Sequence, residues 1–333
     1  MTSPTADGRS NLGVSFERKD APDKTTGRTR YTDDFSVPGM LYAHVVSSRT
    51  AHGMIREIDD AAARAMPGVR GVFSGRDFPQ LVGLYLGDKP ALAVDRVRYY
   101  GEPVVAVVAD DERTAAAAAA AIRISYDELP VIRSPREGMR EDAPLIHPDM
   151  DRYVHIPAIL PKPGTNIAHH TRMRKGDPDA AFAAADISIE GSYRFPPKDH
   201  AAMEPRVATA EVHSDGQVVI RTSTQSPYGV RGIMSRTFGI PPGKLTIQVA
   251  EIGGGFGGKA GIQLEPLAYL LSKAVGGRPV RVRNTREQDI VGSPGGPGLE
   301  ATVRLAARAD GTITAAVIEF LFDSGGYADY AVN

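Results

Sequence analysis

The run Pro103–Ala109, with the sequence PVVAVVA, constrains the fold more than any other segment of the chain. Apolar residues without polar alternation are typical of a strand that is buried on both faces of a sheet. Asp110 and Asp111 follow as N-cap residues for an Ala-rich helix over residues 114–121, and residues 122–126 predict the next strand. This order predicts an α/β layer, in which the all-alanine face allows the helix to pack closely on the sheet.

The preceding segment repeats the pattern. Residues 40–47 and 69–73 predict strands, and the short Ala-rich helix between them begins after Asp59 or Asp60 and ends at Pro67-Gly68. We therefore expect one α/β domain over residues 25–133. Residues 1–24 are polar and lack periodicity, which predicts a flexible N-terminal arm.

A second domain is expected over residues 176–333, after an extended connector over residues 134–175 that is rich in Pro, Arg and His. Helices are predicted over 178–185, 230–238 and 263–275, and strands over 187–195, 208–212, 218–223, 244–252 and 279–283. The helix over 263–275 would place Leu264, Leu267, Leu271 and Ala274 on one face. Residues 299–307 and 312–322 predict a hairpin through Asp310-Gly311. The chain ends soon after it, so we expect a domain cut partway through. Either another polypeptide completes a naturally split subunit, or the sequence is a fragment of a longer gene.

Composition narrows the classes of function. The chain has 39 Lys and Arg against 40 Asp and Glu, so it lacks the basic surplus of a general nucleic-acid binder. It contains no Cys, which excludes thiolate metal sites and Fe–S clusters held by this chain alone. No secretory signal and no apolar stretch of membrane-spanning length is visible. We therefore expect a cytoplasmic protein that binds neither membranes nor nucleic acid.

Residues 251–259, EIGGGFGGK, are the most informative stretch for function. Glycines let backbone N–H groups approach a ligand, and the start of the following helix favours an anionic group. A contact with an anion or a cofactor is the favoured interpretation. The alternative is a purely structural strand-to-helix turn that requires positive φ.

Two nucleotide-binding templates also fit these letters. Gly253, Gly255 and Gly258 match the GxGxxG fingerprint, but the strand that follows ends in Arg and Asn, where that fingerprint needs an acidic residue. Gly258-Lys259 matches the end of a P-loop, but Ala260 stands where a P-loop needs Ser or Thr. A P-loop-like nucleotide-binding module is kept as an alternative.

Five segments in order resemble the xanthine dehydrogenase and aldehyde oxidase family. GGGFGGK at 253–259 is similar to the family's molybdopterin-contacting loop. Residues 20–48 and 98–130 resemble the two halves of its hammerhead domain, and HAAMEP (200–205) and STQSP (223–227) resemble the start of its cofactor-binding domain. The resemblance implies an α/β (α+β) fold: a hammerhead domain followed by the first, incomplete part of the molybdenum cofactor-binding domain.

The resemblance also implies the chemistry, a hydroxylation with water-derived oxygen at an electron-poor C–H of an aldehyde or an N-heterocycle. Molybdenum is held by a pterin dithiolene, expected in its cytosine dinucleotide form, and not by protein side chains. Gln225 is expected to hydrogen-bond an oxygen on the metal, with the backbone N–H groups of Phe256 and Gly257 close by. The expected cofactor-binding residues are Gln225, Gly254, Gly255, Phe256 and Gly257.

Other polar residues receive more modest interpretations. Lys259 is either a phosphate contact or a solvated helix residue, and Glu204 is expected to be structural. His200 is expected to be a core or supporting histidine with its hydrogen bonds satisfied. His169 and His170 are expected at the surface.

Departures from the family pattern bear on substrate and completeness. Ala260, expected in the substrate pocket, stands where purine-oxidising members have Glu, and residues 293–301 lack the Arg of those members, so xanthine is a doubtful substrate. The family's general base lies beyond residue 333, so no catalytic residue is expected within this chain. The expected partners are the C-terminal half of the molybdopterin subunit, a 2Fe-2S small subunit and an FAD subunit. A non-catalytic assembly partner with the same fold is the other alternative.

Overall fold

The computed structural model describes Gly13 and residues 15–328. The strands are β1 Leu41–Ser47, β2 Gly53–Asp59, β3 Val69–Ser74, β4 Leu81–Val82, β5 Lys89–Pro90, β6 Arg96–Val97, β7 Pro103–Ala109, β8 Arg123–Glu128, β9 Ile187–Phe195, β10 Val207–Val212, β11 Val218–Thr222, β12 Leu245–Gln248, β13 Val280–Arg283, β14 Gly298–Ala307 and β15 Ile313–Asp323. The α-helices are α1 Ala21–Thr25, α2 Ala61–Arg64, α3 Glu112–Ala121, α4 Pro135–Gly138, α5 Pro178–Ala183, α6 Pro227–Phe238, α7 Glu265–Ala274 and α8 Arg286–Gly292.

A seven-stranded mixed sheet forms the centre of the molecule, in the order β12-β11-β10-β13-β1-β7-β3. Strand β1 lies parallel to β13, with Leu41 opposite Val280, and antiparallel to β7. Strands from both predicted domains therefore belong to one sheet, which the division of the chain at residues 133 and 176 did not anticipate. The predicted domain boundaries themselves stay a prediction.

Strand β7 is buried on both faces, as its unbroken apolar run predicts. Ala106 and Val108 belong to one core cluster with strands β1, β10, β11 and β13 and helices α6 and α7. Val105 and Val107 belong to a second cluster, which packs against α3. The alternation of a strand thus places successive side chains in two different cores.

Helix α3 begins and packs as its sequence predicts. The Asp111 side chain accepts a hydrogen bond from the backbone N–H of Thr114 at 2.9 Å, which is an N-cap. Ala115, Ala118 and Ala119 are buried against β1 and β7. Small side chains permit this close approach of helix and sheet.

Helix α7 differs from its prediction. The spacing of Leu264, Leu267 and Leu271 predicts an amphipathic helix, but Leu264 lies before the helix and every residue from Glu265 to Ser272 is buried. The helix packs against β10, β11 and β13, which leaves it no solvent-facing side over that stretch.

Three smaller sheets complete the strand pairing: β15-β14-β9, β6-β2-β8 and β4-β5. Residues 1–12 and 14 of the predicted arm lie outside the described residues, whereas the end of that arm is helical, in α1. The connector contains α4 and a 3₁₀ turn over Met150–Arg152. No helix in residues 15–328 is long and apolar enough to cross a membrane.

Candidate functional site

The glycine-rich loop lies between β12 and α7, and its backbone requires glycine at several positions. Gly254 and Gly257 have φ of 102° and 91°, a region that residues with a Cβ rarely adopt. Phe256 has a φ of 52°, which is uncommon for an aromatic residue. The loop is therefore held in a specific strained shape between the strand and the helix.

Gln225 supports the loop from beneath. Its side-chain Oε1 accepts hydrogen bonds from the backbone N–H groups of Gly257 and Lys259, both at 3.1 Å. Its own backbone N–H donates to the carbonyl oxygen of Lys259 at 2.8 Å. A Cβ at Gly255 would lie 2.4 Å from the Gln225 side chain, so a larger residue there would displace the Gln225 amide that holds the loop. With Oε1 occupied, the Nε2 amide is the group that Gln225 can offer to a ligand.

The backbone N–H of Gly257 points to Gln225, which differs from the expectation that it is available to a ligand. In the described part of the chain, the backbone N–H groups of Gly254, Gly255 and Phe256 donate to no other protein group. The Phe256 side chain is 74% exposed beside them. These three N–H groups are therefore backbone donors of the loop that have no protein acceptor among the described residues.

Lys259 is not a solvated residue, and its ammonium group is paired with a carboxylate. Its side chain is 2% exposed, and its Nζ lies 2.8 Å from Glu204 Oε2. The same carboxylate oxygen accepts the backbone N–H of Gly253 at 2.9 Å. Glu204 is thus structural, as expected, and it joins both ends of the loop. This geometry argues against the P-loop interpretation, because a P-loop lysine must reach a phosphate.

A second buried ion pair lies beside the first, and the sequence interpretation missed it. Arg206 Nη1 lies 3.1 Å from Asp289 Oδ1, and its Nη2 donates to the carbonyl oxygen of Gly258 at 2.6 Å. Both side chains are almost completely buried. The position of Arg206 directly after HAAMEP was the available signal, whereas Asp289 lies on a helix that was not predicted.

His200 packs against the other side of the loop. A Cβ at Gly258 would lie 2.5 Å from its Nδ1, and Gly257 lies next to its Nε2. The Nδ1 atom is buried without a hydrogen-bond partner among the described residues, so this histidine is not the fully satisfied one that was expected. His169 and His170 lie far along the chain from this loop, and His169 Nδ1 accepts the backbone N–H of Leu160.

Glu265 fixes the segment that leads from the loop into α7. Its two carboxylate oxygens accept the Thr222 hydroxyl at 2.6 Å and the backbone N–H of Gln263 at 2.7 Å. Burial raises the pKa of this carboxyl group, and the hydrogen bonds partly oppose that rise. The Glu265 carboxylate therefore links the end of β11, three residues before Gln225, to the start of α7.

A cavity of about 410 Å³ lies close to this segment. Gln263 and Leu264 line one wall, Tyr99 and Pro103 line another, and the glycine-rich stretch over residues 292–297 lines a third. Ala260 is exposed and does not line this cavity, so its place in a substrate pocket stays a prediction. Within residues 15–328, no group of three or more His, Cys, Asp or Glu side chains is arranged to hold a metal ion.

Comparisons with known proteins identify the family of the chain. A family model described as the molybdopterin cofactor-binding domain matches residues 159–333. A second, described as the aldehyde oxidase and xanthine dehydrogenase a/b hammerhead domain, matches residues 26–130. The chain therefore belongs to the xanthine dehydrogenase and aldehyde oxidase family, and it carries that family's molybdopterin-binding domain. The predicted family and α/β fold class are confirmed.

Individual relatives define its place within the family more closely. The chain is 33% identical to the xanthine dehydrogenase molybdenum-binding subunit of Escherichia coli O157:H7, over 94% of this chain and 41% of that protein. It is 31% identical to the nicotinate dehydrogenase large molybdopterin subunit of Eubacterium barkeri, over 96% of this chain and 72% of that protein. The solved aldehyde oxidoreductase of Desulfovibrio gigas superimposes with a TM-score of 0.82 at 27% identity, over 96% of this chain and 35% of that chain. The chain thus spans about two fifths of the length of the xanthine dehydrogenase subunits that it matches.

Proposed function

We propose that this chain is the N-terminal part of the molybdenum-cofactor-binding large subunit of a hydroxylase. The observation that carries the proposal is the glycine loop, which Gln225 and the Lys259–Glu204 pair hold from beneath while the N–H groups of residues 254–256 stay free. A surface of donors without charged side chains suits the oxygen-rich pterin cofactor of this family. When bound, that cofactor supplies the two-electron oxidation in which oxygen from water enters an electron-poor C–H bond.

The protein residues bind and orient. Gln225 Oε1 fixes the loop, so its Nε2 amide would be the group left to donate to an oxygen of the cofactor. The unpaired N–H groups of Gly255 and Phe256 would bind negatively charged or polar oxygen atoms of the cofactor at fixed positions. Glu204 and Lys259 position these donors and do not contact the ligand.

We propose an aldehyde or an N-heterocycle as the substrate class. Ala260 leaves the position after Lys259 without a carboxylate, and residues 293–297 carry no Arg, so recognition of an oxygenated purine has no charged partner at either place. The names of two relatives, a nicotinate dehydrogenase and an aldehyde oxidoreductase, fit this class.

We further propose that the chain acts in a cytoplasmic complex. The general base lies in the remainder of the large subunit, and the cofactor carries a cytosine dinucleotide. Because this chain has no Cys, 2Fe-2S clusters belong to a separate subunit, and FAD to another. The length of the relatives supports a remainder of this kind.

Metal and pterin analysis of the assembled complex tests the proposal. We expect near-stoichiometric molybdenum in the wild type, at least tenfold less with Gly255→Val, and a smaller loss with Gln225→Ala. Gln217→Ala, in the hairpin between β10 and β11, is the matched control and keeps the cofactor. A complex without molybdenum would overturn the proposal, and unchanged loading in Gly255→Val would remove the loop from the cofactor site.

A further inference from the structure

The three-stranded sheet β9-β14-β15 has one side without a single charged residue. The odd-numbered residues of β9 pair with the odd-numbered residues of β14. The odd-numbered residues of β14 pair in turn with the even-numbered residues of β15, so all three sets share one side of the sheet. This side, the apolar face, consists of Ile187, Ile189, Gly191, Tyr193, Phe195, Leu299, Ala301, Val303, Leu305, Ala307, Ala316, Ile318, Phe320 and Phe322. Its central and end aromatic residues are exposed, with Tyr193 at 56% and Phe320 at 53%.

Helices pack on the side of this sheet that carries charged residues, and the apolar side is exposed to solvent. The opposite side carries Glu190, Arg194 and Arg304, and that is the side on which helices α4 and α5 lie. Arg136 of α4 pairs with Glu300 at 3.2 Å, and Arg304 stacks over Phe182 of α5 at 4.7 Å. The described residues thus cover the polar side and leave the apolar face exposed. A monomer rarely exposes a contiguous apolar surface of this kind unless another polypeptide covers it.

We infer that the apolar face is the surface on which the remainder of the large subunit packs. The inference rests on the proposed function, because that function supplies the occupant. Its chemistry is that of a domain core, with Ile, Leu, Val and Phe and no polar centre, which is typical of an obligate interface.

One further observation favours this occupant. The relatives extend well beyond the part that this chain matches, so a large polypeptide is available to cover the sheet.

Cysteine labelling provides a clean test because the chain contains no Cys of its own. Phe320→Cys places a single thiol on the apolar face, and Glu190→Cys places the matched control on the opposite side of the same sheet. Each variant is treated with a maleimide in the assembled large subunit, whether that subunit is one chain or two. We expect at least tenfold slower labelling of Phe320→Cys than of Glu190→Cys, and comparable rates in this chain produced alone.

The outcomes separate the surface from the function. Fast labelling of Phe320→Cys in an assembly that contains molybdenum would overturn the inference and leave the proposed function intact. Slow labelling in an assembly without molybdenum would keep the interface and reject the function. Slow labelling already in this chain alone, with Phe320→Cys dimers formed on oxidation, would show that a second copy is the occupant and would also overturn the inference. Tyr193→Asp should weaken assembly, whereas Ser192→Asp on the other side should not.

Discussion

The seven-stranded sheet is covered on both faces, whereas the β9-β14-β15 sheet has one exposed apolar face. In the first, β7 is buried on both faces, and α3 and α7 cover the two sides. In the second, helices cover the polar side and the apolar face is exposed. Strand composition alone thus does not determine burial, because burial depends on which elements are available to cover each face. The described residues close the central core and leave one face of the outer sheet exposed.

The glycine loop belongs to the closed region, and breaking its buried ion pair should have the largest effect. Lys259→Met leaves Glu204 without a counter-charge, and removal of one member of a buried pair costs about 3–5 kcal/mol. We expect the free energy of unfolding in urea to fall by that amount. Lys175→Met, at an exposed lysine, is the control. A loss below 1 kcal/mol would mean that water reaches the pair.

A pair of isoleucine truncations compares the two sheets directly. Ile220→Ala in β11 removes a completely buried side chain and should destabilise the chain by about 3 kcal/mol, from lost burial and a residual cavity. Ile318→Ala in β15 should cost less than about 0.5 kcal/mol in this chain alone, because that side chain is 48% exposed. Equal losses in thermal or urea unfolding would contradict the contrast between a closed and an open sheet.

The pH dependence of stability tests how the connector is held at the end of β15, through His147. Burial lowers the pKa of His147 to about 4, and its Nε2 contacts the carbonyl oxygen of Gly326, just after β15. Between pH 6.5 and 4 the unfolded chain binds a proton that the folded chain does not, so stability is lost as pH falls through this range. A shift from 6.5 to about 4 corresponds to a loss of roughly 3 kcal/mol from this group by pH 4.

His147→Gln should remove that part of the pH dependence, whereas His155→Gln, at an exposed position, should keep it. Urea unfolding at a series of pH values between 4 and 7 measures the difference. Parallel curves for wild type and His147→Gln would show that this imidazole does not titrate differently on folding.

Helix caps give the smallest expected effects. Asp111→Ala removes the N-cap of α3, which is buried in the closed region, and should cost about 1 kcal/mol. Asp177→Ala removes the equivalent bond to Ala180 in the six-residue helix α5, which buries no residue. We expect a smaller loss there, because α5 frays at little cost to the rest of the chain. Equal losses would indicate that α5 is as firmly packed as α3.

The sequence predicted most of the local structure and less of the long-range structure. β7, β9 and the N-cap of α3 follow from patterns within about ten residues. Strand β2 and helix α8 were missed, although Thr285 and Gln288 form a capping box that would have indicated α8. The pairing of β1 with β13 could not be predicted from local sequence patterns, because its hydrogen bonds join segments that are far apart in the chain.

The site was also predicted only in part, because its motif is local whereas the contacts around it join residues that are distant in the sequence. The glycines at 254 and 257 and the place of Gln225 followed from the motif, and their roles towards a cofactor stay predictions. The environment of Lys259 could not be inferred, since Glu204 lies 55 residues earlier in the chain and only the fold brings the two together. A lysine next to a glycine run looks exposed until its partner is known.

The parallel pairing of β1 with β13 also has a consequence for synthesis. Leu41 cannot pair with Val280 until the ribosome has synthesised a further 239 residues (280 minus 41). At about 5–20 residues per second, β1 spends roughly 10 to 50 s with an unpaired edge. During this interval the nascent strand is open to incorrect pairing, so slower elongation or the loss of a chaperone should reduce the yield of correctly folded chain before any defect in the mature protein is visible.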